Sequence, residues 1–113
     1  MGTRDEVLLG TLEHIVLLAV LRLGTEAYGA TIRDEIEQRG GRDMSFGAVY
    51  VTLQRMEGKG LVTSRLGEPT AERGGRAKKY FHVTVRGLKE VRETQRSLVK
   101  LWHGLPELQG GKA

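Results

Sequence analysis

Residues 45–60 read SFGAVYVTLQRMEGKG, and their pattern is that of a short amphipathic helix with a clear start and end. Ser45 is a residue type that caps helix N-termini by accepting a hydrogen bond from a backbone N–H. Phe46 extends the apolar face of this helix, and Gly58 and Gly60 end it. The other apolar residues recur at the i, i+4 and i+7 spacing of one helix face: Val49, Leu53 and Met56. The stretch therefore predicts a helix that buries one side and presents the other.

Two further helices are predicted before this stretch. The nearer one covers residues 28–39, carries Ile32 and Ile36 on one face, and ends at the glycine pair 40–41. The earlier one covers residues 7–23 and is apolar around most of its circumference. A helix of that kind must be covered on nearly all sides. A small domain rarely provides so much cover, so we expect part of this helix to face another subunit.

After residue 60 the apolar period changes from that of a helix to that of a strand. Residues 61–66 and 79–83 are short segments with β-branched or aromatic side chains, which favour strands. The segment between them, 67–77, contains three Gly and one Pro and predicts a loop. The two strands are expected to pair as a hairpin with a long tip.

A fourth helix is predicted over residues 85–105, with Thr84 as its cap. Its apolar residues form a heptad-like seam that polar Gln95 interrupts. One interpretation is that this helix folds back onto its own core. We favour a homodimer, because two helices of this chain carry excess apolar surface. The expected interface residues are Leu12, Val16, Leu88, Val91, Leu98, Trp102 and Leu105.

The order of the predicted elements is that of a winged helix-turn-helix. We expect an α+β, mostly α fold, with three helices and a two-stranded β-hairpin wing over residues 7–84. A C-terminal dimerisation helix would follow over residues 85–105, and residues 106–113 are expected to be a disordered tail. A helix about 10–12 Å across fits the major groove of DNA. The helix after Ser45 is therefore the candidate recognition helix.

The composition is that of one globular domain of 113 residues, with 39% hydrophobic and 28% charged residues. Without cysteine there is neither a disulfide framework nor a thiolate metal site. No apolar run approaches the roughly 20 residues of a membrane span. Two acidic residues precede the first apolar stretch, which is unlike a signal peptide. We expect a cytoplasmic protein with no membrane partner.

Charge is divided unevenly along the chain. The net charge is −3 over residues 1–41, +4 over residues 42–79 and +3 over residues 80–113. The basic second half suggests a polyanion, here double-stranded DNA, as partner. A merely solvated, arginine-rich surface explains the same numbers equally well, so charge alone leaves both interpretations open.

Candidate DNA contacts fall into two groups. The first lies away from the apolar face of the recognition helix, and the second lies in the loop of the hairpin. Amide and guanidinium side chains match adenine and guanine edges, whereas lysine suits phosphate. Each helix residue taken singly is as compatible with solvation, or with partial burial for Tyr50, as with DNA contact. For the loop residues we favour phosphate contact over a merely solvated loop tip. The candidates are Ser45, Gly47, Tyr50, Gln54, Arg55 and Lys59 in the first group and Arg73, Arg76 and Lys78 in the second.

Nothing in the sequence points to catalysis. The three histidines, His14, His82 and His103, have no metal-ligand spacing. The glycine pairs are not followed by the Lys-Ser/Thr of a phosphate-binding loop. The sequence therefore predicts a protein that is not an enzyme and that has no cofactor, metal or catalytic residue.

The chain resembles the PadR-like transcriptional regulators over about residues 8–105. The matching motifs, in this order, are LAVL at 18–21, YG at 28–29, SFGAVY at 45–50, LQRMEGKGLV at 53–62, RAKKYF at 76–81 and VTVRG at 83–87. Two positions depart from the pattern of that family. It usually has proline where Val51 stands, and often serine or threonine where Ala48 stands.

The resemblance implies a homodimeric transcription factor, usually a repressor. Its C-terminal helix would pair with the N-terminal and C-terminal helices of the partner. In some small members, flat aromatic effectors bind between tryptophans of the last helix at the dimer centre, and Trp102 lies on the comparable helix. Interface packing is the simpler role for Trp102, because aromatic residues dominate interfaces.

Three functions remain under consideration. The leading hypothesis is a dimeric repressor that binds a near-palindromic DNA site. The second is a winged-helix module whose third helix binds a protein, although Arg55 and Lys59 outnumber Glu57 there. The third is chiefly a sensor of small aromatic molecules through Trp102.

Overall fold

A computed structural model describes residues 9–68 and 77–109. Within these ranges four α-helices and two strands follow one another. They are α1 (Thr11–Leu23), α2 (Gly29–Gly40), α3 (Phe46–Gly58), β1 (Val62–Leu66), β2 (Lys79–Val83) and α4 (Val85–Trp102). Helix α1 is followed by a 3₁₀ turn at Gly24–Glu26. The predicted winged helix-turn-helix with an added C-terminal helix is confirmed.

Capping residues set the helix starts that the sequence predicts. The Ser45 hydroxyl accepts a hydrogen bond from the Ala48 N–H at 3.0 Å, at the start of α3. The Thr84 hydroxyl accepts one from the Gly87 N–H at 2.9 Å, at the start of α4. Each bond satisfies a backbone donor that has no partner within the helix. Both predicted caps are confirmed.

The outer helix ends differ from the predicted ones. Helix α1 begins at Thr11, because Gly10 is extended and caps the helix; residues 7 and 8 lie outside the described ranges. Helix α4 ends at Trp102, because His103 adopts an extended conformation, and Gly104 follows with a positive φ of 82°. The segment that we expected to be disordered from residue 106 begins with a 3₁₀ turn at Pro106–Leu108. Its last residues, 110–113, lie outside the described ranges.

The core lies where α1, α2 and α3 meet the hairpin. The predicted inward stripe of α3 is confirmed, since Val49, Leu53 and Met56 are all completely buried. Phe46 does not join them, because half of its surface is exposed. Residues of the other elements complete the core: Val16, Leu17, Val20, Ile32, Ile36, Leu61, Val62 and Phe81.

Two expected interface residues belong to this core instead. Val16 is completely buried and Val91 almost so within a single protomer. Val16 has no surface left for a partner to cover, and Val91, which is 7% exposed, has little, which corrects the sequence prediction for both. Their neighbours Leu12, Leu88, Leu98, Trp102 and Leu105 keep between 38% and 59% of their surface exposed.

The two strands form an antiparallel hairpin in which Val62 lies opposite Val83 and Leu66 opposite Lys79. A backbone bond from the Phe81 N–H to the Ala27 carbonyl, 2.8 Å long, ties the hairpin to the segment before α2. The wing is therefore held on the same side of the domain as the start of α2. Residues 69–76 of its predicted loop lie outside the described ranges.

Helix α4 is anchored at its first turn. A Cβ atom at Gly87 would overlap the backbone carbonyl of Leu61 and lie 2.9 Å from a Val83 methyl group. Glycine therefore lets the helix backbone approach the chain between α3 and β1. Near the middle of α4, Gln95 shares a hydrogen bond of 3.1 Å with the buried His14 side chain of α1.

Among the helices of residues 9–68 and 77–109, none is long and apolar enough to cross a membrane.

Candidate nucleic-acid interface

The outward face of α3 carries the predicted DNA contacts. Gly47, Tyr50, Gln54 and Arg55 are all exposed there, as is the capping residue Ser45. Phe46 and Val51 lie on this surface too, with 50% and 51% of their area exposed. The structure thus brings five of the predicted residues onto one surface. Val51 lies there as its helical spacing away from the buried stripe predicts, whereas Phe46 was expected on the inward face.

The start of α3 is fitted closely to the start of α2. The nearest atom of the Phe46 ring lies 3.0 Å from where a Cβ of Gly29 would stand, and the Tyr50 ring lies 3.9 Å from it. The absence of a side chain at Gly29 therefore sets how near the two helices approach. This contact explains why glycine, and not a residue with a side chain, follows Tyr28 in this helix-turn-helix.

A cluster of two tyrosines and two cations forms the side of the wing that faces α2. The rings of Tyr28 and Tyr80 meet edge to face, 5.3 Å apart at 71°. The Arg65 guanidinium lies 4.6 Å from the centre of the Tyr80 ring, and the Lys78 ammonium lies 4.9 Å from the centre of Tyr28. Cations over aromatic rings are attracted by the negative ring faces. The wing therefore holds Arg65 and Lys78 in place next to the helix-turn-helix.

Sequence reasoning found Lys78 but missed its companions. Arg65 lies directly opposite Tyr80 in the hairpin, and neighbours of that kind interact across strands. The pairing was not visible in the sequence because the register depends on the length and shape of the loop. The other two wing candidates, Arg73 and Arg76, lie outside the described ranges.

Lys59 has a different role from the predicted one. Its ammonium lies 2.8 Å from a carboxylate oxygen of Glu13, which is 5% exposed at the start of α1. A lysine that neutralises a buried carboxylate is not free to neutralise a phosphate, since the carboxylate would lose its partner. This corrects the prediction: Lys59 joins the end of α3 to α1.

The environment of Glu13 favours its charged form. Burial raises the pKa of its carboxyl, but three effects together outweigh burial. These are the hydrogen bond from Lys59, the hydrogen bond from the Gly10 N–H, and the positive charges of Lys59 and Arg55. The pKa of Glu13 is therefore held below its ordinary value of 4.5.

Glu13→Gln is expected to lower the free energy of unfolding by about 2 kcal/mol at pH 7, the value of a hydrogen bond to a charged group. Because folding lowers the pKa of Glu13, its contribution is complete above about pH 5 and is lost as the pH falls through the folded-state value. Urea unfolding at several pH values measures the difference between the variant and the wild type.

The matched control is Glu57→Gln, because that carboxylate is more exposed and lies 3.8 Å from the Lys79 ammonium. Its hydrogen bond of 2.7 Å from the Ser64 hydroxyl can also be accepted by a glutamine amide oxygen. A surface pair of this kind contributes at most about 1 kcal/mol. If the wild type and Glu13→Gln differed equally at every pH, the assigned pair between Glu13 and Lys59 would be wrong.

Helix α4 presents an apolar surface of its own. Leu98, Trp102 and Leu105 are 41–59% exposed and line a groove of about 620 Å³ with Leu101 and Leu108. Apolar side chains in such a contiguous patch mark a surface that binds something. Within the described residues, no three His, Asp or Glu side chains converge to hold a metal ion.

Comparison with known families gives a match over residues 17–93 to the transcriptional regulator PadR-like family. A comparison with curated proteins finds no match. The match agrees with the resemblance that the sequence motifs carry, and it confirms the prediction of a transcriptional regulator that is not an enzyme.

Solved structures show the same fold. A PadR-like transcriptional regulator from Bacillus cereus has 28% identity and a TM-score of 0.64, over 81% of this chain and 84% of that one. A PadR family transcriptional regulator from Eggerthella lenta has 26% identity and a TM-score of 0.65, over 86% and 82%. Bacillus subtilis PadR in complex with operator DNA has 21% identity and a TM-score of 0.63, over 74% of this chain and 46% of that one.

Proposed function

We propose that this chain, which belongs to the PadR-like family of transcriptional regulators, binds double-stranded DNA as a homodimer and represses transcription. The observation that carries the proposal is the exposed outer face of α3, which is capped at Ser45 and flanked by the cations of the wing. The structurally similar Bacillus subtilis PadR is known in complex with operator DNA, which supports the same partner here.

The proposal assigns a groove to each element. Helix α3 enters the major groove, where Gln54 and Arg55 reach base edges and Tyr50 reaches the backbone. The wing contacts neighbouring phosphates through Arg65 and Lys78, with Arg73 and Arg76 proposed from sequence alone. Residues 7–84 would form this DNA-binding unit. In a dimer, two copies of α3 read half-sites roughly 34 Å apart, one turn of the double helix.

The dimer is proposed to form through α4. The exposed residues Leu88, Leu98, Trp102 and Leu105 of one protomer would pack against α4 and α1 of the other. Leu12 and Leu18 on α1, each about two-fifths exposed, offer the complementary apolar surface. Two helices with uncovered apolar faces in so small a domain support this arrangement.

Fluorescence anisotropy with a labelled duplex from the promoter of the protein's own gene tests the proposal. We expect specific binding that weakens as salt rises, because phosphate contacts release counterions. A binding constant that does not change with salt, or no binding at low salt, would contradict it. A pull-down of a protein partner that survives nuclease treatment would favour the protein-binding module instead.

Arg55→Ala is expected to weaken binding to that duplex at least about fivefold, since a bidentate base contact is worth roughly 1–3 kcal/mol. The matched control is Arg39→Ala, which removes an exposed guanidinium that pairs with Glu35 within α2 at 2.7 Å. The control is expected to bind as the wild type does. An equal loss in both variants would mean that only total charge matters.

An effector site is the second candidate for the groove at Trp102. Its volume of about 620 Å³ and its leucine lining suit a planar aromatic molecule. Such a ligand would release the repressor by altering the dimer. Titration of the dimer with a panel of planar aromatic compounds, followed by quenching of the single tryptophan, separates this role from simple packing. Compounds that quench and also weaken DNA binding support it.

A further inference from the structure

Two side chains point most directly outward from α3. A helix turns about 100° per residue, and the buried stripe of Val49, Thr52, Leu53 and Met56 defines the inward direction. On this measure Val51 and Gln54 lie within about 30° of the outward direction, one on each side of it. Tyr50 and Arg55 lie further round, about 70° to either side. Val51 and Gln54 are thus the side chains that meet the floor of a groove first.

Val51 is an apolar side chain on the outward face of α3, the surface proposed to contact DNA. Half of its area is exposed, and it carries no polar atom that water or phosphate can bind. Valine is also a weaker helix former than alanine, because its branched side chain is restricted against the preceding turn. Valine at this position adds neither helix propensity nor solubility, and it presents an apolar group on the surface proposed to meet DNA.

The glycines of α3 allow the close approach that such a contact needs. Gly47 precedes Val51 by one turn and Gly58 follows Gln54 by one turn. A Cβ atom at either glycine would meet nothing within 4 Å, so the packing of the protomer does not require them. Glycine in a helix costs about 1 kcal/mol relative to alanine. Because neither glycine has a side chain, Val51 and Gln54 are the side chains that project from the outward face of α3.

The major groove offers one apolar group, the C5 methyl of thymine. It also offers, at adenine, an acceptor and a donor side by side, which match the two ends of a glutamine amide. We propose that Val51 contacts a thymine methyl group and that Gln54 pairs with adenine at a neighbouring base pair. This inference rests on the proposed function. It specifies the DNA sequence that α3 reads, namely two adjacent A·T base pairs in each half-site.

The spacing of the two side chains agrees with neighbouring base pairs. Residues three apart on a helix have Cβ atoms about 5–6 Å apart, and successive base pairs lie about 3.4 Å apart along the DNA axis. The glutamine side chain is long enough to make up the difference between the Cβ separation and the base-pair spacing. Arg55, on the far side of Val51 from Tyr50, then reaches a base or phosphate outside this step.

The test begins with selection from a pool of random duplexes by the wild-type chain. In the selected duplex, single thymines are then replaced by deoxyuridine, which lacks only the methyl group. We expect one symmetry-related thymine in each half-site at which the replacement weakens wild-type binding about fourfold, the equivalent of one buried methyl group. At that position Val51→Ala is expected to show a much smaller uracil effect, because the β-methyl that remains reaches less far than the valine methyl groups.

Gln54→Ala is the matched variant. It is expected to keep the uracil effect and to lose the preference for adenine at the neighbouring pair. Both positions are exposed and alanine favours helix, so circular dichroism should show unchanged folding in either variant. If no thymine responds, or if Val51→Ala keeps the full uracil effect, the assignment is wrong while DNA binding stands. If no duplex is enriched at all, the proposed function fails and this inference fails with it.

Discussion

Gly87→Ala is expected to lower the free energy of unfolding by about 3 kcal/mol, the upper part of the range for overpacking a close contact. The added methyl group would overlap the Leu61 carbonyl and press on Val83. Since both obstacles belong to the hairpin and the chain before it, the first turn of α4 must move away. The hydrogen bond that the Gly87 N–H donates to the Thr84 hydroxyl, which caps α4, would then be lost.

Thermal unfolding at a fixed protomer concentration measures this effect, with an expected fall in Tm of at least about 10 °C. The matched control is Gly40→Ala at the end of α2, where a Cβ would meet nothing within 4 Å. That change is expected to be neutral or slightly stabilising. Equal stability of Gly87→Ala and the wild type would show that α4 does not approach Leu61 as closely as described.

Trp102→Glu is expected to convert the proposed dimer into a monomer. The indole is 59% exposed on a single protomer, and a carboxylate in its place would be buried without a partner in a dimer. We expect the dissociation constant of the dimer to rise at least about 100-fold, and Leu98→Glu to act in the same way. Light scattering at micromolar concentration would show a halved mass.

Ser97→Glu is the control for this prediction, because Ser97 is exposed on α4 about 120° from the mean direction of Leu98 and Trp102. It is expected to remain dimeric. A dimer that survives Trp102→Glu and Leu98→Glu would place the interface elsewhere. A monomeric Trp102→Glu chain is also expected to lose most of its affinity for a two-half-site duplex, since the second half-site no longer binds as part of the same molecule.

Local patterns predicted most of the recognition helix correctly. Ser45 caps it, and Val49, Leu53 and Met56 are buried at the predicted spacing. Both signals act between residues within two turns of each other, so they can be read from adjacent sequence. Phe46 fits the same apolar pattern, yet it lies on Gly29 at the surface. Its position depends on a second helix, which periodicity within α3 does not describe.

Helix α1 shows where periodicity fails. It is apolar on most sides, so its sequence does not say which residues face inward. The structure buries Val16 completely and leaves Leu12 and Leu18 about two-fifths exposed. For this reason the sequence interpretation wrongly assigned Val16 to the dimer interface.

The sequence by itself determined the order of the elements, the caps of α3 and α4, the buried stripe of α3 and the family. Each of these depends on short-range spacing or on the succession of motifs. Only the tertiary structure decided the partners of the cations: Lys59 binds Glu13, 46 residues away, while Arg65 and Lys78 lie over the rings of Tyr80 and Tyr28. Such pairs form when packing brings distant segments together, and the pairing energy comes from burial and geometry that no local pattern contains.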